Sequence, residues 1–217
     1  MYPFAKTFRS LTEANLLSLM LASALLAIVV VVAGMVSITW IAASMITIKI
    51  GWLDMLINFI IGILSGIGGW FMLPALTVLI SGMFQEKAIA RVEHVYYPEA
   101  VRHDKPRFWP DIVHDIKFTV WALFLNIMVL PLYFFGIGFI VSILLNSYLV
   151  GREFFESAAG YHIGKSNAKN LIPKNRKVIY TSGFIITVMA LIPLLNLFIP
   201  IIAVVWMVHI YHYISFV

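Results

Sequence analysis

The sequence predicts an all-α integral membrane protein: two long transmembrane helices followed by two partly penetrating helical hairpins. Three observations lead there. Hydrophobic residues make up 62% of the chain and charged residues 12%, against about 45–50% and about 25% in soluble domains. The charges fall in narrow bands that leave four long uncharged blocks. A polar turn separates the first two blocks, whereas the last two carry helix breakers at their centres. Residues 1–217 are read as a single membrane domain.

The N-terminal stretch MYPFAKTFRSLTEAN shows no secretory cleavage pattern. The first uncharged block, Ala14–Ile48, is far longer than a signal-peptide core and is expected to remain as the first span. KIGWLD (Lys49–Asp54) reads as a tight turn into the second span, Met55–Gln85. Pro74 removes a backbone hydrogen bond and is predicted to kink that helix.

The third block, Phe118–Gly151, has Pro131, Gly136 and Gly138 near its middle. The fourth, Val178–Val217, has Pro193 and Pro200. Half of such a block is roughly 13–18 residues, marginal or short for a crossing. A hairpin that enters and returns to the same side fits better. Charge supports this. The bands Glu86–Lys117 and Arg152–Lys177 hold six Lys/Arg each, and single crossings would force one band outside. With hairpins, both bands, Lys6, Arg9 and both termini lie on the cytoplasmic side, and only the Lys49–Asp54 turn lies outside.

Other classes of function recede on composition. The chain has no cysteine, hence no disulfide framework or thiolate metal site. Its net charge of +5 is assigned to juxtamembrane lysine and arginine, not to a nucleic-acid surface. The segment LLNSYLVGREFFESAAGYH (Leu144–His162), with Ser142 just before it, carries a polar stripe of Ser142, Asn146, Glu153 and Glu156 out of the membrane. Arg152 and Glu156 are four residues apart and can pair. The bland reading is a helix end at the interface; Asn146, nearly two turns deeper, is what it leaves unexplained. Glu153, Glu156 and His162 do not make a convincing metal set, because the spacing is Glu-x-x-Glu and no second pair exists. With no ligand set and no nucleophile–base pair, neither a cofactor nor an enzyme is expected. His94, His103 and His114 are expected in a solvated loop, and His209 and His212 as interfacial anchors, with a proton-sensitive gate as the second reading for that pair.

The cluster IGILSGIGGW (Ile61–Trp70) places Gly62 with Gly66, and Ser65 with Gly69, at small-xxx-small spacing. Close helix packing is the first reading. An anion nest at a local break, using Gly66, Gly68 and Gly69, is the second.

Several motifs together resemble one family. LNSYLVGREFFESAAGYH (Leu145–His162) is similar to a family pattern in Asn146, Phe154, Glu156 and His162. LIPLLNLFIPIIAVVW (Leu191–Trp206) and EKAIARVE (Glu86–Glu93) are similar to two others. The family comprises the CysZ-like bacterial sulfate permeases and the eukaryotic etoposide-induced membrane proteins. Membership implies uptake of sulfate or a related small anion across a bacterial inner membrane, and no cofactor. The family's Gly-Leu-Arg type motif before the first long helix is associated with sulfate. The matching stretch here, FRSLTEANLLSL (Phe8–Leu19), keeps Arg9 but has Thr12, Glu13 and Asn15 where the glycine and further arginines are expected. Anion-binding candidates are therefore Arg9, Lys6, Gly66, Gly68 and Gly69. Pore or gating candidates are Asn146, Arg152, Glu153, Glu156 and His162. A half-penetrating hairpin leaves an apolar flank, so a homo-oligomer in the lipid bilayer is expected. The alternative is a membrane-organising or lipid-handling scaffold that transports nothing.

The topology is tested by labelling intact cells with a membrane-impermeant thiol reagent. A Lys49→Cys variant should label from outside and a Lys174→Cys variant only after lysis. Labelling of both from the same face sinks the scheme.

Overall fold

The structure is a computed structural model that describes residues 3–45, 51–101 and 108–215. The predicted turn at Lys49, and Arg102, His103, Lys105 and Arg107 of the first basic band, lie outside the described residues. Among the described residues every regular element is helical. The helices are α1 (Phe4–Glu13), α2 (Leu17–Met45), α3 (Gly51–Tyr96), α4 (Phe108–Val129), α5 (Gly138–Ile163), α6 (Lys165–Ala168), α7 (Ile172–Ala190), α8 (Pro193–Asn196) and α9 (Ile199–Ser215). By length and apolar composition, four segments can cross a membrane: Leu17–Ala42, Gly51–Gly69, Val113–Phe135 and Gly138–Ile163. This is an all-helical membrane protein.

Residue choice explains where the helices stop. Asn15 takes a positive φ of 50° between α1 and α2, a conformation asparagine tolerates better than most residues. Arg91 holds that turn by donating to the Asn15 carbonyl oxygen at 2.6 Å and to the Ser18 hydroxyl at 3.1 Å. α3 is 46 residues long, roughly 69 Å at 1.5 Å per residue. Its helical backbone continues through Pro74, so the expected kink does not divide it into two elements. It ends at Tyr96 because Pro98 pushes Tyr97 out of helical conformation, to φ −143°.

Both breaker clusters interrupt their helices in the backbone. In the first, the 3-10 turn Leu130–Phe135 joins α4 to α5, and Gly136 adopts φ 75° to close it. A side chain on Gly138 would sit 2.6 Å from the Tyr133 backbone nitrogen. The Tyr133 and Ser142 hydroxyls then bond at 2.7 Å across the turn. The arms are longer than the expected 13–18 residues, at 22 and 26. The reason is that both helices run on into the charged flanks. In the second hairpin, α7 and α9 are separated by a break at Leu191 and Ile192 and by the short α8, with Pro193 at its first turn.

The packed core surrounds α9. From Ile199 to Ile210 every residue of α9 is buried, against α1, the end of α3, α5 and α7. This corrects the expectation that His209 and His212 sit at an interface. Away from that core the helices are bare: of Gly51–Gly69 only Gly69 is buried, and of Val113–Phe135, among residues whose side chains are described, only Phe118 and Val129. Trp40, Met55, Phe59 and Leu123 are exposed there. A surface this apolar suits hydrocarbon, not water.

The tightest contact joins the two hairpins. Gly151 on α5 faces Gly183 on α7. A Cβ on Gly183 would meet the Ser147 carbonyl oxygen and lie 2.7 Å from the Gly151 Cα, and one on Gly151 would lie 2.7 Å from the Ile179 carbonyl oxygen. Backbone cannot yield as a side chain can, so the crossing requires two glycines. Gly183→Ala should lower stability in detergent by about 2 kcal/mol, read as a lowered Tm. Gly62→Ala, where a methyl meets nothing within 4 Å, should leave Tm unchanged or slightly higher. Equal effects would remove the argument.

Candidate functional site

Polar side chains gather where α3, α5 and α9 end. Glu93 lies three residues before the end of α3 and is fully buried. Its Oε1 accepts from His162 Nε2 at 2.6 Å and from His212 Nε2 at 2.9 Å. His162 and His212 each lie in the last turn of their helix, α5 and α9. Burial pushes the Glu93 carboxyl upward, but the hydrogen bonds and charges of the two histidines outweigh it and hold the group below its ordinary range. The carboxylate is therefore the resident form. Its second oxygen, Oε2, is buried and has no hydrogen-bond partner.

Aromatic rings enclose this cluster. Tyr97 stacks on His212 with centroids 3.9 Å apart, and Tyr211 stacks on His162 at 5.4 Å. Tyr97 also links to a second group: its hydroxyl bonds His209 Nδ1 at 2.9 Å, and His209 Nε2 bonds the Ser10 hydroxyl at 2.8 Å. Lys6 donates to the same Tyr97 hydroxyl at 3.0 Å and lies over its ring. Helix α1 thus turns Thr7 and Ser10 inward and leaves Arg9 exposed.

A further ionic cluster ties the base of the first hairpin together. Glu156 is buried on α5 and accepts from Arg152 Nε at 2.8 Å and from His114 Nε2 of α4 at 2.7 Å. The Arg152 guanidinium lies 4.9 Å from the Phe118 ring centroid. Nearby, Lys165 bridges to Asp115 at 2.6 Å. The Arg152–Glu156 pair is thus as expected from spacing, but His114 is not the solvated loop residue it was read to be. α4 begins at Phe108 and brings His114 onto α5.

The remaining candidates are dispersed. Glu153 is half-buried, within electrostatic reach of Lys165, Asp115 and Glu156. Asn146 is half-buried on α5, outside both clusters. Gly66, Gly68 and Gly69 lie inside the uninterrupted helix α3, so their N–H groups belong to helical hydrogen bonding. Any side chain on Gly69 would collide with Met35 of α2. Gly68 and Gly69 line a cavity of about 520 Å³ between α2 and α3, walled by Val31, Met35, Ile38 and Leu64. That lining offers methyl groups and the Ser65 hydroxyl, which suits packing and lipid better than an anion. Sequence reasoning missed Glu93 as a site residue. Glu93 closes the motif EKAIARVE, and no local spacing links it to His162, 69 positions away, or to His212, 119 away.

Fold and site define a class first: a polytopic α-helical membrane protein whose buried ionic groups cluster where helices end. The family described as sulfate transporter CysZ/etoposide-induced protein 2.4 matches residues 3–200, and the chain belongs to that family. No curated protein and no solved structure matches the chain.

The Arg152–Glu156–His114 cluster makes a direct prediction. Glu156→Ala removes the carboxylate shared by Arg152 and His114 and should cost about 3 kcal/mol. A double-mutant cycle with Arg152→Ala, read by thermal unfolding in detergent, should give a coupling of about 1 kcal/mol or more. Additive losses would show that the pair contributes nothing of its own.

Proposed function

We propose that the protein is a CysZ-like transporter that takes up sulfate, or a related small oxyanion, across a bacterial inner membrane, by passive or proton-linked movement. The observation that carries the reading is the family match over residues 3–200. The structure bears on one electrostatic difficulty of this reading. A divalent anion is repelled by bare carboxylates; Glu156 is paired with Arg152 and hydrogen-bonded to His114, and Glu93 is hydrogen-bonded to two histidines, while Glu153 lies within electrostatic reach of Lys165. Lys6 and Arg9 lie on one short helix, α1, with Arg9 exposed, and are the cations proposed to meet the anion.

The topology proposed has both termini cytoplasmic and both hairpins entering partway. Each arm of the first hairpin is long and apolar enough to cross as a whole. Its uncharged part, Phe118–Val129 or Gly138–Gly151, is roughly 20 Å at 1.5 Å per residue, less than a hydrocarbon core of about 30 Å, and that shorter stretch supports partial entry. Phe134, 93% exposed, and Phe135 project from the tip, where no charge could anchor it in water. A cysteine at Phe134 should resist the impermeant reagent from both faces. The bare outer faces of α2, α3 and α4 suit contact with the lipid bilayer; a homo-oligomer is part of this proposal.

Radiolabelled sulfate flux into proteoliposomes tests the function. Uptake should exceed that of empty vesicles and saturate. Arg9→Ala should reduce it about tenfold, as loss of one charge-assisted contact worth about 1.4 kcal/mol would. Properly oriented protein that takes up nothing would leave the scaffold reading in its place.

A further inference from the structure

The Glu93 cluster has features that a hydrogen-bonded triad does not explain. Three donor groups from three separate helices, Glu93, His162 and His212, bring one ligand atom each to within 4.8 Å of one another. The Glu93 oxygen Oε2 is left buried and unpartnered beside them. The same point collects the C-terminal ends of α3, α5 and α9. Each helix end carries a partial negative charge of about half an electron. Together with the carboxylate, whose Oε2 has no partner, they favour a cation at this buried point.

We propose that Glu93, His162 and His212 form a binding site for a divalent transition-metal ion, with zinc the best fit. Two imidazoles and one carboxylate are a borderline ligand set that suits zinc and excludes magnesium and calcium, which want oxygen donors throughout. Donor atoms around a tetrahedral zinc are about 3.3 Å apart, given bonds of about 2.0–2.1 Å. The two N···O separations here, 2.6 and 2.9 Å, need to open by under an ångström. Both imidazoles present Nε2 to the carboxylate. Each would coordinate through that atom in neutral form, with its ring proton on Nδ1. The stacked rings of Tyr97 and Tyr211 fix the imidazole planes. His162 retains 16% side-chain exposure, which gives an ion a way in. Three protein ligands leave the fourth position to an oxygen donor from outside the chain.

The site is independent of the transport reading, and its test uses no flux. Protein carrying no polyhistidine tag is purified in detergent, stripped with chelator, desalted and titrated with Zn²⁺ and, separately, Co²⁺. Saturation should come at one ion per chain. The cobalt form should show the intense visible absorption of a four-coordinate centre, lost when Zn²⁺ is added and unaffected by Mg²⁺. His162→Ala and His212→Ala should each weaken binding roughly 100-fold or more, while His114→Ala, in the other cluster, should not change it. If the alanine variants fail to elute as the wild-type species, the cobalt spectrum of the wild type decides alone. No saturable uptake by the stripped wild type overturns the proposal, leaving a triad held by protons. Unchanged binding in a folded His162→Ala/His212→Ala chain overturns it equally.

Discussion

A carboxylate without access to water is the constraint around which this protein is arranged. Glu93 has no exposure, and it stays ionised only because groups from α5 and α9 compensate it. The three helices must therefore end at the same place and at the same depth. That requirement fixes the length of α3, the reach of α5 beyond its apolar part, and the central position of α9. Tyr97 extends the constraint to α1 by joining His212, His209 and Lys6 through one ring and one hydroxyl. Removing the carboxylate would loosen four helices at once.

Two kinds of surface follow from this plan. Around α9 the interior is packed in the manner of a water-soluble bundle, with Trp206 buried and its indole N–H donating to Ser182 at 3.1 Å. Along α2, the first half of α3 and the tip of α4–α5, apolar side chains face outward. In lipid there is no hydrophobic gain from pairing such faces, so close approach must come from small residues and polar bonds. The contacts obey that rule: glycine against Met35 between α2 and α3, and glycine against glycine between α5 and α7. The Glu93 cluster lies beyond this apolar zone, at the C-terminal ends of α3, α5 and α9.

What could be read in the sequence, and what could not, divides by range. Uncharged blocks, breaker positions and the Arg152–Glu156 pair are local properties, and each has its counterpart in the helices, turns and contact described. Pro131 with Gly136 and Gly138, and Pro193, do interrupt their blocks. The arms extend further than the uncharged blocks because helices continue readily through charged residues in water. The histidines were misplaced for a related reason. His114 and His212 look peripheral in sequence because each lies beside polar or terminal residues, yet packing buries one almost fully and the other in large part. Glu93 had no legible role, since its partners arrive from 69 and 119 residues away. Long-range ionic contacts leave no periodicity to read.

The glycine crossing between the hairpins also decides what kind of motion they can share. A one-turn slide would bring Phe155 or Ser147 of α5, or Ile179 or Thr187 of α7, into a slot that accepts no Cβ. Shear along the helix axes is thereby blocked in both directions. Rotation about the crossing is resisted as well, because α5 and α7 pack along their length and Tyr148 of α5 lies against Tyr180 of α7 with ring centroids 5.2 Å apart. The two helices are held in register and in angle, so any rearrangement carries α5 and α7 together as one unit.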